Sequence, residues 1–221
     1  VILLVATSGI IYLGRIFYKG ISSSKTQEKV RSISEELNKS LQYSGAVPVS
    51  VDRGPTVKTL CMGDTRYYYS IGTTVDDPGA SLNDNNNLGS VGLVAVRLGE
   101  YKRDTPRGPI TGINASSCSA CPGDRYSSCW LEKRQLLSKN MRLTEFDVKQ
   151  FGQPSNNLWR TKIGIAYGDI DLFVKSDGNP ISDAEFKEPA KASGARCMSS
   201  QSGGSFCAVS KLDTTLKRRV R

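Results

Sequence analysis

The sequence contains no histidine among its 221 residues. Histidine is the only side chain whose ordinary pKa lies near neutral pH, and it is the usual base beside a serine or cysteine nucleophile. Its absence also excludes imidazole ligands to a metal ion. Most familiar enzyme designs are therefore excluded, and we predict that the chain is not an enzyme, has no catalytic residue, and needs no cofactor or metal.

Hydrophobic residues are scarce at 38% of the chain, and aromatic residues make up only 8%. This composition favours a loop-rich body that contains strands over a helical bundle. The formal net charge of +9 makes DNA, acidic polysaccharides and anionic lipids physically compatible partners. Charge alone does not choose among them.

Long apolar runs are absent except at the start, where residues 1–14 carry no charge and Arg15 is the first ionised side chain. As a helix, this stretch spans about 21 Å, against roughly 30 Å of bilayer hydrocarbon. A secretory signal peptide fits poorly, because such peptides place their positive charge before the apolar run. A membrane anchor, a buried core helix and a helix that packs against other helices remain as interpretations.

A helical pattern with one apolar stripe follows Gly20. Charged residues lie off this stripe, and Gly45 is a natural helix stop. We therefore predict one N-terminal helix over residues 1–45, with a membrane or filament-core segment at 1–18 and an amphipathic segment at 21–44. The stripe that packs on the body consists of Val30, Ile33, Leu37 and Leu41.

The remaining residues, 46–221, are predicted to form a disulfide-containing, β-rich globular domain. Segments such as "TRYYYSIGTT" and "GSVGLVAVRLGEYKR" are rich enough in β-branched and aromatic residues to form strands. Two further strands are expected to meet near Gly168, a short helix is expected around Trp130 to Leu137, and a final strand or strand pair ends the chain. The predicted fold class is α+β, with the long N-terminal helix packed on a mainly antiparallel β-sheet.

Six cysteines indicate disulfides formed in an oxidising compartment: Cys61, Cys118, Cys121, Cys129, Cys197 and Cys207. A structural zinc site needs four ligands, and without histidine the central cysteines would need a distant fourth one. The segment "MSSQSGGSF" is flexible enough for its flanking residues, Cys197 and Cys207, to meet in a disulfide. Pairing of either residue with Cys61 or with the central trio is the alternative.

Two polar segments near the C-terminus suggest ligands. The basic tail offers a contact for DNA or acidic surface polymers through Lys217, Arg218, Arg219 and Arg221. Its charges equally fit an edge strand that resists sheet-to-sheet association. Acidic residues between Asp177 and Glu188 partly match a calcium loop, but the pattern fails at Ile181, and a capped helix start at Ser182 accounts for them more simply.

The order "LLVATS" at Leu3 to Ser8, followed by more apolar residues and then an amphipathic stretch, resembles the N-terminal helix of type IV pilins and pseudopilins. The resemblance covers residues 1–45. Ile2 occupies the position of that family's hallmark glutamate, and the family's usual start before it is absent.

The resemblance implies a structural subunit of a type IV pilus-like or type II secretion pseudopilus filament, held in the membrane before assembly and then exposed at the cell surface. Its partners would be further copies of itself or related subunits, the assembly machinery in the membrane, and the membrane itself. A disulfide-bounded C-terminal loop is also common in the family. The residues that would pack in the filament core are Val1, Ile2, Leu3, Leu4, Val5, Ile10, Ile11, Leu13, Ile16 and Phe17.

A second function stays open at this point. The same features fit a membrane-anchored extracellular domain that binds a surface, DNA or another polyanion and does not polymerise.

Overall fold

The structure is a computed structural model that describes residues 2–43, 47–52, 57–63, 65–75, 91–98, 130–153, 156–199 and 206–218. Its helices are α1 (Ile2–Tyr43), α2 (Asp183–Phe186) and α3 (Pro189–Ala192). Its strands are β1 (Val49–Asp52), β2 (Lys58–Met62), β3 (Thr65–Tyr69), β4 (Leu93–Leu98), β5 (Trp130–Gln135), β6 (Met141–Gln150), β7 (Leu158–Tyr167), β8 (Phe173–Val174), β9 (Arg196–Cys197) and β10 (Ala208–Lys217).

Helix α1 runs without interruption for 42 residues, which corresponds to about 63 Å. Weak helix formers lie near its middle, where Gly20 precedes three consecutive serines. Two hydroxyls in this region bond back within the helix: Ser22 Oγ donates to the Tyr18 carbonyl at 2.9 Å, and Thr26 Oγ1 donates to the Ser22 carbonyl at 2.7 Å. Their polar side chains are thereby satisfied where the helix meets the body.

The strands form three antiparallel sheets. The first is a meander of five strands in the order β1-β2-β3-β4-β5, and the second has the order β10-β7-β6. Strands β8 and β9 form a small third sheet. The α+β class and the antiparallel sheets predicted from the sequence are confirmed.

One element was predicted wrongly. Residues expected to form a short helix around Trp130 to Leu137 instead form β5, which pairs with β4 from Val94↔Gln135 onward. The segment "LEKRQL" has good helix formers, but tertiary pairing overrides such weak local preferences. The strand pairing completes the edge of the meander.

The main core lies between α1 and the two larger sheets. It contains side chains from the meander, such as Tyr67 and Leu93, and from the second sheet, such as Leu143 and Ile165. On the helix side, the four stripe residues are almost fully buried, with relative exposures of 1% for Val30, 2% for Ile33, and 0% for Leu37 and Leu41. All four belong to the main core cluster together with side chains of both larger sheets.

Polar contacts join the C-terminal part of α1 to the meander. The hydroxyls of Ser40 and Tyr67 lie 2.9 Å apart, and Glu36 forms an ion pair with Arg134 of β5 at 2.6 Å. The helix also contacts β7 and β10 of the second sheet. Both larger sheets therefore depend on the same helix.

Gly72 joins the meander to the second sheet. Its N–H donates to the Leu143 carbonyl at 2.8 Å, and its own carbonyl accepts from Arg142 Nη1 at 3.1 Å. The residue has φ of +77°, and a Cβ there would lie 2.4 Å from the Phe186 carbonyl oxygen. Only glycine fits both the conformation and the space.

We expect Leu37→Ala to lower the free energy of unfolding by about 2–5 kcal/mol, because it leaves a cavity in the main core. The matched control is Leu13→Ala, the same substitution on the same helix at a side chain that is 67% exposed. Leu13→Ala should change stability by less than about 0.5 kcal/mol. Denaturant unfolding of the monomer in mild detergent measures both, and equal losses would contradict this description of the helix.

Candidate functional site

The first part of α1 exposes large apolar side chains. Relative exposure is 76% for Leu3, 71% for Ile10 and 57% for Ile11, and it stays above half at the remaining predicted positions Leu13, Ile16 and Phe17. Val1 lies outside the described residues, and only the backbone of Ile2, Leu4 and Val5 is described. Soluble monomers rarely expose a continuous apolar surface of this kind, so it indicates a contact surface.

The globular body first covers the helix at its second half. Among the helix residues whose side chains are described, Ser22 is the first that is buried, at 6% exposure. Just before it, the ring of Tyr18 contacts the ring of Phe206 with 5.6 Å between centroids, and Phe17 contacts Tyr18 at 6.4 Å. We call these three residues, Phe17, Tyr18 and Phe206, the aromatic rim. Sequence reasoning missed this contact, and the only signal for it was an aromatic residue next to Cys207.

A disulfide holds the body side of the rim. Cys197 and Cys207 are bonded, with their Cα atoms 5.7 Å apart, as predicted from the sequence. Cys197 lies on β9, and Cys207 is buried immediately before β10. The bond therefore ties the small third sheet to the start of the strand that packs on α1.

The other cysteines are only partly described. Cys61 is disulfide-bonded, and no cysteine in the described part of the chain is free. The predictions for Cys118, Cys121 and Cys129 fall outside the described residues.

Gly168 packs closely against the backbone of Phe206. It has φ of +129°, and a Cβ there would lie 2.9 Å from the Phe206 carbonyl oxygen. Its N–H donates to the Asn140 carbonyl at 3.0 Å. A side chain at this position would push Phe206 and its ring away from the sheet.

A second, smaller core includes Cys207, the residue that follows Phe206. Phe173 packs edge-on against Phe186 with 5.3 Å between ring centroids, and Cys207 belongs to this cluster. Helix α2 enters the cluster through a capping box, in which the Glu185 N–H donates to Ser182 Oγ and the Ser182 N–H donates to Glu185. The capped helix start predicted at Ser182 is confirmed.

The electrostatics of this cap are well defined. Lys175 Nζ donates to Glu185 Oε1 at 2.9 Å. This hydrogen bond, followed by those from Ser182, lowers the pKa of Glu185 from 4.5 to about 2. The folded state therefore stabilises the charged form of Glu185 relative to its protonated form.

The basic tail is only partly described. Lys217 is exposed at the end of β10, whereas Arg218 retains 8% of its surface, and Arg219 and Arg221 lie outside the described residues. Strand β10 is an edge of its sheet. Of the predicted polyanion contacts, Lys217 is the accessible one in the described part.

A cleft lies between the meander, β6 and α3. Its carboxylates are engaged in ion pairs: Asp52 with Lys58 at 3.5 Å, Asp147 with Lys149 at 3.0 Å, and Glu145 with Lys162 at 3.8 Å. Burial raises the pKa of Tyr69, which also lines the cleft. Across the described ranges, no group of three or more cysteine or acidic side chains is placed to hold a metal ion.

Comparison with known proteins gives no match to any protein-family model, curated protein or solved structure. Within the described residues, no helix combines the length and hydropathy of a segment that crosses a membrane.

We expect Glu185→Gln to reduce the acid sensitivity of the fold. Because the pKa of Glu185 is lowered in the folded state, its stabilising contribution is present above about pH 4.5 and is lost as the pH falls towards 2. Glutamine keeps a capping acceptor but does not titrate. Unfolding measured between pH 5 and pH 2 should therefore show a shallower loss of stability. The control is Glu35→Gln on the exposed face of α1, and an identical slope in the two variants would refute the assignment.

We expect the double variant Cys197→Ala/Cys207→Ala to lose about 2.8 kcal/mol of stability, because the disulfide no longer restricts the eleven-residue loop in the unfolded chain. The pairing itself is checked by peptide mapping under non-reducing conditions. A digest fragment that links Cys197 to any cysteine other than Cys207 would contradict it. Stability equal to that of the wild type would contradict the structural role.

Proposed function

We propose that this chain is a structural subunit of a filament related to type IV pili or type II secretion pseudopili. One observation carries the proposal: a single long helix exposes apolar side chains along its first part and buries an apolar stripe along its second part. The order of residues at Leu3 to Ser8, which resembles the pilin helix, supports the same function.

In this proposal the two parts of α1 have different partners. The segment up to Tyr18 packs against the same segment of neighbouring subunits, and the part from Ile21 onward stays with its own body. Fully burying one large aliphatic or aromatic side chain contributes about 1.5–3 kcal/mol. Several such side chains on each subunit are sufficient to drive association once translational entropy is offset.

Repetition of one asymmetric contact gives a polymer. In the proposal, the exposed segment of each subunit contacts a different surface on the next one, which is a heterologous contact. Contacts of this heterologous type generate open helical arrays when the rotation does not close. The proposed filament has the helices bundled inside and the bodies outside.

Before assembly, the exposed apolar segment of α1 must be shielded from water. In the proposal it resides in the membrane, exchanges lipid for neighbouring helices with the help of a membrane-bound assembly machine, and ends in a filament at the cell surface. No catalytic residue and no cofactor is assigned. The disulfide between Cys197 and Cys207 agrees with folding in an oxidising compartment.

A non-polymerising, membrane-anchored binding domain is the competing function. If its ligand is DNA or another polyanion, the contact is expected at the basic tail, where Lys217 is exposed but Arg218 is largely covered. The exposed face of the described edge strand is mixed in charge, because Asp213 binds Arg160 there in a bidentate ion pair. The filament proposal therefore has the stronger structural basis.

We expect Ile11→Asp to abolish filaments while leaving the body folded. An unpaired carboxylate in the packed helical core costs several kcal/mol, and each 1.4 kcal/mol lowers subunit affinity about tenfold. The matched control is Tyr43→Asp, which places the same charge on an apolar residue that is 72% exposed at the other end of α1. Electron microscopy of sheared surface material, with circular dichroism of the purified subunits, measures both effects.

The outcomes separate the two functions. Filaments in the wild type and in Tyr43→Asp, but not in Ile11→Asp, support the proposal. Filaments at wild-type level in Ile11→Asp refute the packing role of the exposed segment. Surface-displayed monomers without filaments in any variant favour the anchored binding domain.

A further inference from the structure

The aromatic rim lies at the junction between the exposed segment of α1 and the part of α1 that the body covers. Phe17 and Tyr18 retain 67% and 54% of their surface, and Phe206 retains 45% although it contacts Tyr18. The ring of Phe206 therefore extends the aromatic surface of the helix onto the globular domain. A residue of the body and two residues of the helix form one exposed patch.

The order of residues along α1 around this patch is informative. Residues 2–14 are uncharged, and they are followed by Arg15, Phe17, Tyr18 and Lys19. No acidic residue occurs on the helix before Glu28. An apolar run that ends at a tyrosine between cations, as at Arg15, Tyr18 and Lys19, is typical of a helix leaving the hydrocarbon for the lipid headgroups.

The body positions its own aromatic residue at the same level. Phe206 is tied down on one side by the disulfide of Cys207 and on the other by the close approach of Gly168. The exposed carboxylates Asp169 and Asp171 follow Gly168 directly, so the body side of the rim is not uniformly basic. Aromatic character, rather than net charge, is what the three rim residues share.

We propose that the aromatic rim, including Phe206 of the body, rests in the headgroup region of a lipid bilayer and sets the height of the body above the membrane before assembly. This inference rests on the proposed function, in which the exposed segment of α1 is first held in lipid. It adds a second contact with the membrane, made by the globular domain. From Ile2 to Tyr18 the helix spans about 24 Å, which is about four-fifths of the roughly 30 Å of bilayer hydrocarbon.

The test places a fluorescent reporter at the rim. The full chain carrying Phe206→Trp is reconstituted into phosphatidylcholine vesicles whose lipids are brominated near the headgroup end of the acyl chains. Emission of the wild type in the same vesicles is subtracted, since Trp130 and Trp159 are native. We expect roughly half of the emission from the introduced tryptophan to be quenched, because an interfacial indole lies at the depth of the bromines.

Two matched variants provide the comparison. Phe151→Trp alters another exposed phenylalanine, which follows β6 at the end of the sheet where Leu158 pairs with Lys217. Phe206 adjoins the opposite end, where Ala208 pairs with Tyr167, so the length of β10, about 30 Å, separates the two positions. Phe151→Trp should show little quenching, whereas Tyr18→Trp should be quenched as strongly as Phe206→Trp.

Each outcome decides the inference. Quenching of Tyr18→Trp without quenching of Phe206→Trp means that the helix enters lipid but the body does not touch it, which overturns the proposal. Equal quenching of Phe206→Trp and Phe151→Trp shows unspecific adsorption and also overturns it. A Phe206→Trp signal that is insensitive to brominated lipid and shifts only on filament formation identifies the rim as a contact between subunits instead. Because the assay uses unassembled chains, it can fail while filaments still form, and the reverse also holds.

Discussion

Leu37 and Leu41 have no exposed surface because α1 lies against strands of both larger sheets. A hydrogen bond from Gly72 to Leu143 joins the meander to the second sheet. Side chains of both sheets also pack against the helix stripe in one core. A narrow stripe with one residue per helical turn is enough for this purpose, since each sheet contributes the opposing side chains. The remaining faces of the helix are free to be polar beside the body and apolar beyond it.

The parts of this architecture that depend on local periodicity could be predicted from the sequence. The stripe from Val30 to Leu41, the strand around Tyr67 and the cap at Ser182 each follow from spacing or side-chain chemistry within a few residues. The identity of β5 could not be predicted, because its strand conformation depends on pairing with β4, and the intervening sequence gives no register. The contact of Tyr18 with Phe206 brings together residues that are distant in sequence, so no local pattern encodes it.

The candidate site combines these two kinds of information. The exposed apolar side chains of α1 follow directly from composition, and the position at which the body begins to cover them depends on the tertiary structure. The disulfide, the second core around Phe173 and the turn at Gly168 lie next to Phe206, which contacts the helix. These features lie at the boundary between the two parts of α1, which is where the proposed function requires the subunit to pass from one environment to another.

The packing of α1 against β10 has a consequence for how the chain matures. These are the first and the latest of the described elements in the sequence, so contacts between them have a large sequence separation and form slowly. While a nascent chain lacks β10, part of the helix stripe is uncovered and is available to chaperones or to wrong partners. A chain truncated before residue 208 therefore leaves part of its helix stripe exposed even when the meander and β7 have formed.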